Sequence, residues 1–116
     1  PKLCFTLINT TMNYIFHEDA GHGWLQVPQK EIDDLNLRGK ISPYSYESDL
    51  FAFLEEDLDT GVFLKAKFGF PESYDDMNYE HKLKLQKFWN EECQRHVTEK
   101  SRVRSLKSFH NPNFQS

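Results

Sequence analysis

The residue types that can do chemistry are concentrated in one short stretch, His17-Glu18-Asp19-Ala20-Gly21-His22-Gly23-Trp24. Two imidazoles can bind one metal ion, and a neighbouring carboxylate can add an oxygen ligand or act as a general base. We therefore take His17, Glu18, Asp19 and His22 as candidate catalytic residues and the two histidines as candidate metal ligands. A divalent metal ion is the one cofactor that this stretch could hold, and no other is predicted.

The same stretch also fits a turn without chemistry. His17 and His22 do not have the spacing of the helical H-E-x-x-H zinc motif. In a structural turn, Asp19 would accept backbone N–H bonds, and the histidines would be exposed or bonded to carbonyl groups. The structural interpretation is the favoured one.

Acidic side chains dominate the middle of the chain. Residues 47–80 carry ten acidic and two basic side chains, whereas the whole chain has a net charge of −4. A surface of this sign would bind a basic partner. The candidate partner-binding residues are Glu47, Asp49, Glu55, Glu56, Asp57 and Asp59. The run 55–59 lacks the EF-hand pattern, and capping of a following helix by Asp57 or Asp59 is the simpler role for it.

The C-terminal part has the opposite charge, with eight basic and three acidic side chains in residues 81–116. Arg102, Arg104, Lys107 and Phe109 combine cations with an aromatic ring, which is typical of proteins that bind RNA or single-stranded DNA. An edge strand covered by basic residues explains the same pattern. We favour the edge strand and keep nucleic-acid binding as an alternative.

Apolar periodicity predicts strands and helices in an irregular order. Strands are predicted at 12–16, 24–27, 43–47 and 50–54. Helices are predicted at 28–37, from Asp57 or Asp59 to about Phe68, and from Tyr79 to about Val97. This order favours the α+β class, with a small antiparallel sheet and two or three helices packed on one face.

The chain length of 116 residues fits a single domain, 1–116. Residues 1–11 are expected to be a peripheral extension, and 101–116 an edge strand or an extended arm. No apolar run approaches the roughly 20 residues of a membrane span, so we expect a cytoplasmic protein without a membrane partner. Cys4 and Cys93 are expected to be free thiols.

Three segments resemble small uncharacterised proteins carried by phages and other mobile elements of bacteria. These are residues 17–25, 41–46 and 54–57, and the similarity extends over about 12–68. The resemblance implies an origin but no activity.

The leading functional hypothesis is a non-enzymatic interaction protein that binds a host protein through its acidic central face. The alternatives are a small metal-dependent enzyme that uses the His17–His22 turn, and a nucleic-acid-binding protein that uses the basic C-terminal part.

Overall fold

A six-stranded sheet organises residues 14–114, the part of the chain that the computed structural model describes. The strands are β1 Tyr14–Glu18, β2 Gly23–Pro28, β3 Tyr46–Glu47, β4 Phe51–Glu55, β5 Cys93–Val97 and β6 Lys107–Ser108. Their order across the sheet is β5-β1-β2-β4-β3-β6. Neighbours are antiparallel, except that β1 and β5 run parallel. The α+β class is therefore confirmed, with a larger sheet than predicted and a mixed one.

Three predictions concern residues outside the described range. They are the peripheral extension at 1–11, the first two positions of the strand predicted at 12–16, and the state of Cys4. Cys93 lies within the range, where it is buried and free.

Three α-helices occur among the described residues. They are α1 Gln29–Asp34, α2 Asp59–Phe68 and α3 Tyr79–Lys87. Helix α1 is shorter than the predicted 28–37, and soon after it Asn36 adopts the left-handed conformation (φ 56°), which cannot continue a helix. Helix α2 ends as predicted at Gly69 (φ 71°). None of the helices in residues 14–114 is both long and apolar enough to cross a membrane.

The single long helix predicted from Tyr79 to about Val97 is wrong. The α-helical part ends at Lys87, a π-helical turn follows at Phe88–Glu92, and the chain then becomes β5. In this turn Phe88 packs on Tyr14, while the next residue, Trp89, packs edge-on against Phe16. The backbone groups after the turn pair with β1 instead of continuing a helical hydrogen-bond ladder.

One side of the sheet, here called the helical face, carries the larger apolar core. Alternate side chains of the strands point to this side and pack against the helices and the π-helical turn. The core is fully buried at its centre, as the zero exposure of Leu25, Leu54, Phe63 and Phe88 shows. This packing is where most of the apolar surface leaves water, so it is the main source of stability.

The opposite side, here called the tail face, is covered by a short segment near the C-terminus. This tail segment, Ser101–Leu106, contains a 3₁₀ turn at Arg102–Ser105. A smaller buried cluster of Trp24, Phe53 and Val103 joins the segment to the sheet. The predicted edge strand within 101–116 is limited to β6, which pairs with β3.

Candidate functional site

The four catalytic candidates lie at the end of β1 and on the loop that joins it to β2, and they have different surroundings. Glu18 lies at the end of β1, and its Oε1 accepts a hydrogen bond of 2.8 Å from Arg95 Nε on β5. This ion pair is largely exposed, so it contributes little to stability. Glu18 is therefore engaged with the neighbouring strand and not with the other three candidates.

Asp19 is buried and joins the loop to the tail segment. Its Oδ1 accepts hydrogen bonds of 3.1 Å from the backbone N–H groups of Gly21 and His22, as the structural interpretation of the turn predicted. Its Oδ2 accepts from Arg104 Nε at 2.7 Å and from Ser101 N–H at 2.9 Å. The Arg104 guanidinium holds the pKa of Asp19 well below its usual range. Asp19 is thus charged at neutral pH, and its contacts with Arg104 and Ser101 are here called the Asp19 clamp.

His17 points to the tail face and is half-buried against the ring of Phe53. Its Nε2 lies 2.6 Å from Gln26 Oε1, and its Nδ1 lies 3.4 Å from His96 Nδ1 on β5. Burial lowers the pKa of His17, the hydrogen bond to Gln26 partly opposes this shift, and the nearby His96 lowers the pKa further. His17 therefore tends to stay neutral at a pH where an exposed histidine would begin to gain a proton.

His22 lies apart from His17. It is exposed on the loop, where its ring packs 6.1 Å from that of Trp24, centroid to centroid. The two histidines line different cavities, so the structure does not unite the predicted metal ligands. Within residues 14–114, no group of three or more His, Cys, Asp or Glu side chains is arranged to hold a metal ion. The histidine beside His17 is His96, and no pattern in the sequence indicates that these two residues are neighbours.

Two of the six predicted partner-binding acids are buried and serve the fold. Glu47 accepts hydrogen bonds from Gln29 Nε2 at 2.9 Å and from His110 N–H at 2.6 Å. Asp59 is completely buried, and its Oδ2 accepts from Ser42 N–H and from the Ser42 and Ser45 hydroxyl groups. The structure therefore places Glu47 and Asp59 away from any contact surface.

Glu55 is half-buried and caps α2. Its carboxylate accepts hydrogen bonds from the backbone N–H groups of Asp57, Leu58 and Asp59, at the start of the helix. The prediction that Asp57 or Asp59 provides the cap is wrong, because Glu55 reaches these donors from the end of β4. An anionic side chain here also interacts favourably with the helix dipole.

The other three predicted acids, Asp49, Glu56 and Asp57, are exposed. Glu56 and Asp57 follow β4 and line a cleft of about 260 Å³ together with His22, Tyr44 and Arg104. The loop residue His22 and the acidic run, which are separate in the sequence, thus meet at one place. The β1–β2 loop is called the histidine loop below. Tyr44 was not among the predicted site residues, although it lies within the 41–46 segment.

Gly23 makes this meeting of the two segments possible. Its carbonyl accepts a hydrogen bond of 3.1 Å from Glu56 N–H. A Cβ atom at position 23 would lie 2.4 Å from Phe16 Cζ and 3.2 Å from Glu56 Oε2. A larger residue would therefore displace the Phe16 ring, and the Glu56 carboxylate would have to move slightly.

The four predicted nucleic-acid contacts have different environments. Arg104 belongs to the Asp19 clamp, and its guanidinium also lies 5.1 Å from the Trp24 ring centre. Phe109 is 1% exposed, so it has no face for a base to stack on. Arg102 and Lys107 are exposed. Two of the four residues are thus committed to the fold.

Comparison with protein-family models, with curated proteins and with solved structures finds no match to this chain. A function must therefore follow from the geometry of its own residues.

Proposed function

We propose that this chain is a non-enzymatic binding protein that takes a basic segment of a partner protein into the cleft beside Glu56 and Asp57. The observation that carries the proposal is the convergence of the acidic run with the histidine loop and Tyr44 around one opening. The resemblance to proteins of phages and other mobile elements points to a host protein as the partner.

The two carboxylates of the cleft are available for a ligand. Neither Glu56 nor Asp57 forms an ion pair with any residue in 14–114. Arg104 also lines the cleft, but its guanidinium is already bound to Asp19. A lysine or arginine side chain from outside would find two carboxylate partners with no internal cation bound to them.

Aromatic side chains provide the second element of such recognition. Tyr44 is 71% exposed at the cleft, and Tyr46 is half-buried beside it. An aromatic face attracts a cation and covers the methylene groups of a long side chain. Carboxylates next to exposed tyrosine rings therefore favour a cationic side chain over an anionic or purely apolar one.

A binding role also fits the separation of the catalytic candidates. Glu18 bonds to Arg95, Asp19 bonds to Arg104, and the two histidines line different cavities. General acid–base chemistry needs its groups within hydrogen-bond reach of one substrate. The cleft needs only charge and shape to bind a basic segment.

The test is the affinity of the full chain for lysine- and arginine-rich peptides, measured by fluorescence anisotropy at two salt concentrations. The cleft variant is Glu56→Lys/Asp57→Lys. Its control, Asp75→Lys/Asp76→Lys, makes the same change in net charge at two exposed residues outside the cleft.

We expect the cleft variant to bind at least about tenfold more weakly, because it loses two charge-assisted contacts and adds repulsion. The control should keep most of the affinity, and added salt should weaken the wild type. Equal losses in both variants would show that net charge alone attracts the peptides. Affinity that does not respond to salt would also contradict the proposal.

A further inference from the structure

His17 and His96 face each other across β1 and β5 on the tail face. They are register partners in the parallel pair, so their side chains project to the same side of the sheet. The two rings are nearly perpendicular, at 80°, and their Nδ1 atoms are 3.4 Å apart. This pair lies in a cavity of about 390 Å³ between the sheet and the tail segment, separate from the proposed peptide cleft.

The hydrogen bond to Gln26 determines the protonation of the His17 ring. The amide oxygen Oε1 of Gln26 can only accept, so the proton of neutral His17 is on Nε2. Nδ1 then keeps its lone pair, which is directed to His96. A ring nitrogen held in this way by a second polar group is the usual arrangement of a histidine that ligates a metal.

The distance between the two Nδ1 atoms fits a long hydrogen bond and also fits two ligands of one metal ion. At 3.4 Å the two ring nitrogens are within hydrogen-bond reach of each other, but the contact is long. Two nitrogens that each lie about 2.05 Å from a tetrahedral Zn²⁺ are about 3.3 Å apart. The pair therefore already has the spacing of two ligands on one ion.

We propose that His17 and His96 bind a divalent transition-metal ion, with Zn²⁺ as the reference ion, through their Nδ1 atoms. The remaining coordination positions are filled by water, since no third His, Cys, Asp or Glu of residues 14–114 completes the group. Thr98, Ser101 and the basic residue Arg102 line the same cavity. A site with two protein ligands exchanges its other ligands readily.

The exposure of one member of the pair supports this assignment. His96 is exposed, so an ion can reach the pair from solvent. The site is independent of the peptide cleft, and its test has a different readout.

The experiment is equilibrium dialysis of the full chain against Zn²⁺ at neutral pH, followed by Co²⁺ titration monitored by visible absorption. The variants are His96→Gln, which alters an exposed residue, and His17→Ala. His22→Ala is the matched control, because His22 is close to His17 in the sequence but lines a different cavity.

We expect about one Zn²⁺ per wild-type chain, loss of this ion in both pair variants, and retention in the control. Gln26→Leu should weaken binding about tenfold, because the ring loses its orienting partner. If His17→Ala unfolds, His96→Gln and Gln26→Leu still decide the result. No Zn²⁺ on the wild type, or equal Zn²⁺ on wild type and His96→Gln, would overturn the proposal.

Discussion

The helical face and the tail face belong to one sheet, but they use its two sides for different purposes. On the helical face, large side chains such as Phe63 and Phe88 are completely buried beneath helices. On the tail face, a small apolar cluster leaves room for the His17–His96 pair, and the cleft beside Glu56 and Asp57 opens at its rim. The difference indicates that stability resides mainly on one side of the sheet, and both proposed sites lie on the other.

Truncating one phenylalanine on each face tests this comparison most strongly. Phe63→Ala should lower the free energy of unfolding by about 3–5 kcal/mol, because it leaves a closed cavity in the larger core. Phe53 already lines an open cavity. Phe53→Ala should therefore cost about half as much, since solvent can fill part of the space. Urea unfolding of both variants measures the difference, and equal losses would contradict it.

Two aspartates of the acidic run sharpen the comparison between burial and exposure. Asp59→Ala should lower the free energy of unfolding by about 3 kcal/mol, because the buried donors of Ser42 and Ser45 lose their acceptor. Asp57→Ala, at an exposed position, should change it by less than about 0.5 kcal/mol. Thermal and urea unfolding would show the contrast. If Asp59→Ala left the free energy of unfolding unchanged, the donors of Ser42 and Ser45 would have to be bonded to other acceptors.

Loss of the α2 cap should lower the free energy of unfolding less than Asp59→Ala does. Glu55→Ala removes the acceptor of the N–H groups at the start of the helix, and should cost about 1 kcal/mol. Glu56→Ala alters the next residue, which caps nothing, so it is the control. Urea unfolding distinguishes them, and a loss of similar size in both would assign the effect to charge and not to capping.

On acidification, we expect the tail segment to detach from the sheet before the helical face unfolds. The folded pKa of Asp19 is depressed, so the detached form takes up a proton more readily than the clamped form. The stabilisation by the clamp is therefore complete above about pH 4 and declines as the pH falls further.

Among the four predictions of this section, loss of the clamp should change the free energy of unfolding least, because the clamp holds only the tail segment. The hydrogen-exchange protection factor should fall first at Ser101 N–H, which donates to Asp19, while that of Leu25 in β2 should stay high. Asp19→Asn should show the same pattern at neutral pH. If Ser101 and Leu25 lost protection at the same pH, the clamp would not be local.

The sequence predicted those elements whose signals are local. The hairpin around the histidine loop, the strand ending near Leu54 and the stop of α2 at Gly69 all follow from neighbouring residues. The end of α3 does not, because Leu83, Leu85 and Phe88 continue a helical spacing toward Cys93. What changes the outcome is the pairing of β5 with β1, which is distant along the chain.

The same limitation applies to the candidate sites. The acidic run was visible in the sequence, but the burial of Asp59 depends on hydroxyl groups 14 and 17 residues away. The sequence predicts His17 and the nearby His22 as metal ligands, and it does not show which of the distant histidines lies beside them. The actual neighbour of His17, His96, is 79 residues away, and its position depends on the parallel strand pair.

Because β1 pairs with the distant strand β5, the sheet cannot be completed early in synthesis. Strands β1 to β4 leave the ribosome well before β5, and until then β1 presents an open backbone edge that other chains can join. The tail segment follows later still. A nascent chain therefore exposes Trp24 and Phe53 while its helical face can already begin to fold, and neither proposed site is complete until the last third of the chain has emerged.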